Sequence, residues 1–392
     1  MLSPICLCDR SAREAPSSPP TTSRLLFWNG HRRTVGYDCN SDTSEEQFLK
    51  SANKIVSALA IVAMAVLPGR GADPAESRAV MAYYESSGSQ ESLLSFYLDI
   101  NQLPTDAFSV NAKGKISGSA PKTALEFARS KGMQTFATVS NFGKGDFDPK
   151  IAHSIITHPA IAQRTIVNLL DLVKDSGYSG INIDFESVPL HDRVAFTSFI
   201  HDVAGKMHAA GYLIVVSVPA ELKDDPNDSW AGAFDFKSLG QDADILQLMT
   251  YDEHGPWGEP GPVAGLDWVE PCARFAASVV KSSKVSLGIQ AYGYDWDTTH
   301  RKGVQVHWNQ IPSLIASTGA TPQWDTASSS PFFTYRSSDG SSHVVWYEDK
   351  TSIPLKSALA KTYHLAGISM FALGYEDKSF WLAVHSGLKN PD

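Results

Sequence analysis

GYSGINIDFE, residues 177–186, carries the reading of the fold. Asn182, Asp184 and Glu186 fall at every second position, and Ile181, Ile183 and Phe185 fill the gaps. Side chains of a β-strand alternate between two faces, so the three polar groups share one face and the apolar groups the other. A helical pattern precedes the segment (161–175) and another follows it (191–210), as for a parallel strand covered by helices. Such strands are ordinarily apolar on both faces. An amide and two carboxylates in a row on a covered face need a purpose, because burying unpaired charge is expensive. Two readings meet that requirement. One is a partly solvated edge strand. The other is a catalytic acid with polar neighbours that tune it.

Outward from this strand, short β-like runs keep alternating with amphipathic helical runs. AVMAYYES from Ala79, DAFSV from Asp106 and QTFATVSN from Gln134 come before it. LIVVSVP from Leu213, ILQLMTY from Ile245, VSLGIQAY from Val285 and GISMFAL from Gly367 come after it. Further helices are expected over 268–280 and 354–363. Eight strands alternating with helices within 76–392 predict a single α/β domain, a (β/α)8 TIM barrel. A doubly wound sheet is the competing fold, but no glycine-rich phosphate loop follows the first strand. One connection is much longer than the rest. Residues 297–349 show little helical periodicity, and Asp339–Gly340 sits between two strand-like runs, which is a hairpin signal. They predict a small β-rich insertion between strand 7 and helix 7, walling one side of a cleft.

Residues ahead of the barrel differ in character. Residues 1–50 are rich in Ser, Pro, Arg and Thr without periodicity, and are expected to be a disordered or over-extended leader. Residues 51–75 include the apolar run IVSALAIVAMAVL (55–67), behind Lys50 and Lys54. That run is short for a membrane helix and matches the h-region of a secretory signal. A buried helix at the start of the fold is the competing reading. Export implies a secreted, periplasmic or cell-envelope protein with no stable membrane span after processing.

The chain carries 33 Lys and Arg against 42 Asp and Glu, a formal net charge of −9. Without the leader the body is more acidic still. This argues against nucleic acid as a partner and leaves neutral polysaccharide open. Cys6, Cys8 and Cys39 lie in the leader, so Cys272 alone remains in the body and no internal disulfide is expected. The histidines do not cluster at ligand spacing in the sequence, and His254 alone is weak. The expectation is a monomer with no metal and no cofactor.

In barrels of this kind, chemistry sits at the C-terminal ends of the strands. Glu186 ends the fourth. Tyr251 and Asp252 end the sixth, and Tyr292, Tyr294, Asp295 and Trp296 end the seventh. Tyr83, Tyr84 and Glu85 end the first, and Asn141 the third. Aromatic faces suit sugar rings, whose axial C–H groups are apolar. Trp257, in EHGPWGEPGP (253–262), and Trp346 are further candidates, with plain packing as the competing role for each.

SGINIDFE (179–186) resembles the DGxDxDxE signature of family-18 glycoside hydrolases, the chitinases and endo-N-acetylglucosaminidases. LMTYD (248–252) resembles that family's sixth-strand motif. YDEHGPWGEPGP (251–262), LGIQAYGYDW (287–296) and VVWYED (344–349) are closest to the spore-cortex-lytic N-acetylglucosaminidases and related bacterial envelope hydrolases. The resemblance runs from about Arg78 to the C-terminus. It implies a retaining hydrolase that cleaves β-1,4 bonds after N-acetylglucosamine, in peptidoglycan glycan strands or chitooligosaccharides. In this substrate-assisted chemistry the sugar's own 2-acetamido oxygen attacks the anomeric carbon and forms an oxazolinium ion.

The implied roles follow the motifs. Glu186 protonates the leaving oxygen and later activates water. Asp184 accepts from the acetamido N–H, and Tyr251 donates to the acetamido oxygen. Asp252 helps bind the distorted sugar, with Asn182, Tyr83, Asn141, Tyr292, Trp257, Trp346 and Phe371 as further substrate contacts. Three positions depart from the pattern. Ser179 replaces the first Asp of the signature and Asn182 the middle one. Asn182 is expected to donate to Asp184 and keep it ionised. Phe371 stands where the eighth strand usually ends in Trp, a smaller floor that leaves room for a bulkier sugar, such as one with a lactyl ether. The alternative is a non-catalytic, lectin-like protein on the same barrel, though such proteins usually lack the acid.

Overall fold

The computed structural model describes residues 78–86 and 88–389. The leader (1–50) and the signal-like segment (51–75) lie outside the described residues. Eight parallel strands run Ala79–Ala82, Gln102–Val110, Gln134–Ser140, Gly180–Asp184, Leu213–Pro219, Ile245–Met249, Val285–Gln290 and Gly367–Phe371, here the first to the eighth. They pair in that order, and the sheet closes because the first pairs with the eighth (Ala79 with Gly367, Ala82 with Met370) and with the second (Met81 with Gln102). This is the expected TIM barrel, and each of the eight sequence runs falls on its strand.

The fourth strand shows why the pattern folds this way. Ile181, Ile183 and Phe185 are fully buried on the outer face. There Phe185 stacks on Phe196 and Phe199 of the covering helix Arg193–Ala209, with ring centroids 6.4 and 6.0 Å apart. Asn182 is fully buried on the inner face, bonded to the first and fifth strands. The helix before it, Pro159–Ser176, begins on a proline and ends at Gly177 in a left-handed conformation (φ 70°). Glycine takes that conformation without a Cβ clash, so the chain turns sharply into the strand.

Three details differ from expectation. The second strand starts at Gln102, four residues before the run read from the sequence, whose propensity signal Pro104 weakens. Its far end pairs antiparallel with a short extra strand, Ile116–Gly118. The insertion starts before residue 297. Tyr292–Asp297 is already a strand of a separate antiparallel sheet, with Lys302–His307, Ser342–Trp346, Ser330–Arg336 and Gln323–Asp325. Only Ala291 separates it from the seventh barrel strand, and the run LGIQAYGYDW stays strand-like throughout, so nothing in the sequence marks the change of sheet. The insertion also holds a helix, Ile311–Thr318, which its sequence had not suggested. The hairpin about Asp339–Gly340 is present: Arg336 pairs with Ser342, and Gly340 has φ 90°.

The insertion has its own small core of Val306, Ile311, Phe333, Val345 and Tyr347. It returns to the barrel through a buried ion pair. Glu348, just past its last strand, meets Lys356 of helix Ser352–Thr362 and accepts a bond from Gln290 Nε2 at the end of the seventh strand (3.0 Å).

Candidate active site

At the C-terminal mouth of the barrel lies a cavity of about 560 Å³. Tyr83, Asp106, Asp184, Glu186, Tyr251 and Asp252 line it, with Tyr292 and Phe371. The first, second, fourth and sixth barrel strands and the leading strand of the insertion thus bring polar side chains to one hollow. Among the described residues that line it there is no Lys or Arg, so its carboxylates face one another without a cation.

The electrostatics follow from that. Burial, then the charges of Asp184, Asp252, Asp146 and Asp106, pushes the Glu186 carboxyl up to about 9. Asp184 is pushed up to about 7 by burial and by Asp106, while the Ser217 hydroxyl acts the other way. The two titrate as a pair, and of the two Glu186 holds its proton longer.

Asn182 sits below Asp184 on the same face. Its Oδ1 accepts from the Tyr83 hydroxyl (2.8 Å), and its Nδ2 donates to Ser217 Oγ (3.0 Å). The expected bond to Asp184 is not made. The amide is taken up by the neighbouring strands and acts on Asp184 through Ser217. Tyr83 lines the cavity above this network.

Asn141 was expected to touch sugar, and the structure corrects this. It is fully buried, and its amide forms a two-way clamp on the Glu186 peptide group. Glu186 N–H donates to Asn141 Oδ1 (2.9 Å), and Asn141 Nδ2 donates to the Glu186 carbonyl (2.9 Å). The same Nδ2 also reaches the Asp148 carbonyl (3.1 Å). With both ends of its amide engaged, it fixes the backbone that carries the acid.

Tyr251 stands between Phe371 and Tyr292, with ring centroids 6.3 and 6.4 Å away. Gly288 of the seventh strand makes room for it. A Cβ there would come within 2.9 Å of the ring and 2.3 Å of the Leu248 carbonyl. Asp252 follows with φ 62°, a left-handed value uncommon outside glycine. Its Oδ1 accepts from the hydroxyls of Tyr292 and Tyr294 (2.8 Å each). Burial still raises its carboxyl, and the two phenols oppose the shift. Phe371 lies against Tyr83 and Tyr251 at the cavity wall.

A second cavity, of about 750 Å³, opens on the other side of Glu186. Phe147, Glu186, Met249, Tyr251 and Asp252 line both, so the acid stands at the junction of one continuous cleft. Trp257 lines the second cavity and is 75% exposed, joined there by Trp230 and Trp268. Trp346 lines neither. Its ring stacks on Phe332 across the insertion sheet, 4.7 Å between centroids.

Several residues escaped the sequence reading. Asp106 lines the first cavity, its carboxyl pushed up to about 6 by burial and by Glu85. It lies in the middle of the second strand, where no motif signalled it. Glu221, past the fifth strand, is buried on the wall of the second cavity. Neither of its carboxylate oxygens has a hydrogen-bond partner among the described residues, and burial with Asp224 raises it to about 8. The fold also brings together His153, His191 and Asp192. His153 rides on a helix after the third strand, while His191 and Asp192 are neighbours in the turn after the fourth, so no ligand spacing in the sequence links them.

The sequence pattern described as glycosyl hydrolases family 18 matches residues 79–376. An uncharacterized glycosylase of Bacillus subtilis, YvbX, is 38% identical over 338 residues, which is 86% of this chain and 98% of that protein. The cortical fragment-lytic enzyme of Bacillus subtilis is 26% identical over 71% of this chain and 65% of its own length. Among solved structures, a chitinase from Chromobacterium violaceum superposes with a TM-score of 0.77 at 37% identity, covering 80% of this chain and all of that one.

Proposed function

This chain belongs to glycosyl hydrolase family 18 and is a glycosidase, and from that premise we propose that it cleaves β-1,4 bonds after N-acetylglucosamine with retention, through the substrate's own acetamido group. The observation that carries the proposal is the placement of Glu186 at the junction of two cavities, with Asp184 and the Tyr251 phenol beside it in the first; burial and the neighbouring carboxylates push the Glu186 carboxyl up, as an acid requires. A sugar in the first cavity meets Asp184 at its acetamido N–H and Tyr251 at its acetamido oxygen. Glu186 gives its proton to the glycosidic oxygen as the acetamido oxygen closes on the anomeric carbon. The leaving sugar departs through the second cavity. Glu186, now a carboxylate, then draws a proton from water, which opens the oxazolinium ion on the same face and restores the acid. Asn141 holds the Glu186 backbone throughout, and Asp252, gripped by two phenols, binds the sugar ring.

Peptidoglycan glycan strands are the substrate we favour, and chitooligosaccharides come second. Likeness to a cortical fragment-lytic enzyme supports the first, and the Phe371 floor supports a site roomy enough for a lactyl ether. Action on such a polymer implies work at the cell envelope. No helix among the described residues is long and apolar enough to cross a membrane.

The test is mass spectrometry, with anomer analysis by NMR, of products from peptide-free glycan strands and from chitin hexamer. New reducing ends at N-acetylglucosamine, formed first as the β-anomer, are expected. Efficient cleavage of a glycan without N-acetyl groups would exclude the acetamido route. Binding without any turnover would favour a lectin.

A further inference from the structure

We infer that His153, His191 and Asp192 form a site for one divalent transition-metal ion, zinc fitting best, which fastens the loop behind Glu186 to the neighbouring helix. One candidate donor atom from each residue lies within 4.8 Å of the others. His153 Nδ1 is 2.7 Å from Asp192 Oδ2, and His191 Nε2 is 3.7 Å from Asp192 Oδ1. Donors about 2.1 Å from a tetrahedral ion stand about 3.4 Å from one another. The two measured separations bracket that value, so small side-chain rotations suffice.

The orientation of Asp192 is the main argument. It occupies the N-cap of helix Arg193–Ala209, where an Asp ordinarily accepts from the backbone N–H groups of the first turn. Among the described residues its carboxylate makes no such bond. It is buried and faces the two imidazoles instead. A plain ion pair with His153 accounts for one of these contacts and leaves the other unexplained. Both histidines are open to solvent, His191 at 70% side-chain exposure, so an ion can enter and keep water as a fourth ligand. Two imidazole nitrogens with one carboxylate suit zinc, whereas calcium and magnesium prefer all-oxygen sets.

The site would act by position. His153 rides on helix Pro149–Thr157, which starts at Asp148. The Asp148 carbonyl is held by the same Asn141 amide that clamps the Glu186 peptide. His191 and Asp192 lie in the turn Leu190–Asp192, shortly after Glu186. Asn141 and the ion would therefore tie the same two segments at two points, one at the peptide group of the acid and one a few residues after it.

The experiment is calorimetric titration of chelator-treated, full-length protein with zinc chloride and, separately, calcium chloride, alongside thermal unfolding with each ion. One equivalent of zinc binding at micromolar or tighter affinity, with a raised melting temperature, is expected, and calcium should do neither. Loss of a mere outer-shell partner costs about 10–100-fold in metal affinity, so His191→Ala, at an exposed position, and Asp192→Asn should each weaken zinc by at least about tenfold. X-ray absorption should report two nitrogen ligands from histidine. No saturable zinc binding, undiminished binding in both variants, or an equal response to calcium would overturn the site.

Discussion

Two of the places where this molecule shields carboxylates from water handle them in opposite ways. At the seam between insertion and barrel, Glu348 is 3% exposed and meets Lys356, which is 1% exposed. At the barrel mouth, Asp106, Asp184, Glu186 and Asp252 share a cavity that no Lys or Arg lines among the described residues. The seam answers buried charge with opposite charge, although burial still outweighs Lys356 and raises the Glu348 carboxyl. The mouth answers it with protons. The first solution holds two pieces of structure together. The second keeps an acid neutral in water that would otherwise ionise it, at a cost in stability.

Carboxylate-to-amide changes at the two places should therefore move stability in opposite directions. Glu186→Gln should lower kcat by roughly 100- to 10,000-fold, measured by release of reducing ends. The same change should raise the melting temperature. The folded carboxyl at about 9 stands far above its ordinary value of 4.5. Between those values the folded chain binds a proton that the unfolded chain has released, so stability falls as pH rises. By pH 7 this costs on the order of 2 kcal/mol once solvent screening is allowed for. The gain in Glu186→Gln should vanish as pH falls below about 4.5, where both states become protonated. A variant less stable than its parent at pH 7 would break the contrast.

Glu348→Gln should do the reverse. It strands a buried ammonium, and losing one partner of a buried pair costs about 3–5 kcal/mol in urea unfolding. Activity per folded molecule should hold, which would separate seam from mouth. Tyr251→Phe sharpens the account of the mouth itself. A donor aimed at developing charge is worth about 100-fold in kcat, with KM nearly unchanged if its bond strengthens only as the acetamido oxygen attacks. The smallest effect belongs to Tyr294→Phe. One of two phenols on Asp252 is lost, and a rise in KM of about tenfold is expected from a hydrogen bond worth about 1.5 kcal/mol.

The sequence exposed the barrel because its signals are local. GINIDFE announces a strand with one polar face, and the seven other strand runs are each contiguous. The rim residues Glu186, Asp184, Tyr251, Asp252, Tyr83 and Phe371 all reach the first cavity, because strand order alone decides which chain ends meet there. What stayed hidden depends on contacts between distant segments. Asn141 sits at a strand end like the others, but its partner is a peptide group of the next strand, which no side-chain pattern reveals. Trp346 alternates as a platform residue would, yet its face is covered by Phe332 from the hairpin opposite. Asp106 follows the mixed run NQLPT and Glu221 the apolar run LIVVSVPA, and their meaning comes from burial. His153 and His191 become neighbours only when the third and fourth loops lie side by side.

The strand that begins at Tyr292 joins two parts of the molecule that are easily treated as separate. Its phenols hold Asp252 of the barrel, while its backbone belongs to the insertion sheet. An engineer who exchanged residues 292–346 for the corresponding lobe of another enzyme would thus be rewriting the catalytic floor along with the wall. Chimeras that keep the parental YGY at 292–294 should be the ones that retain turnover.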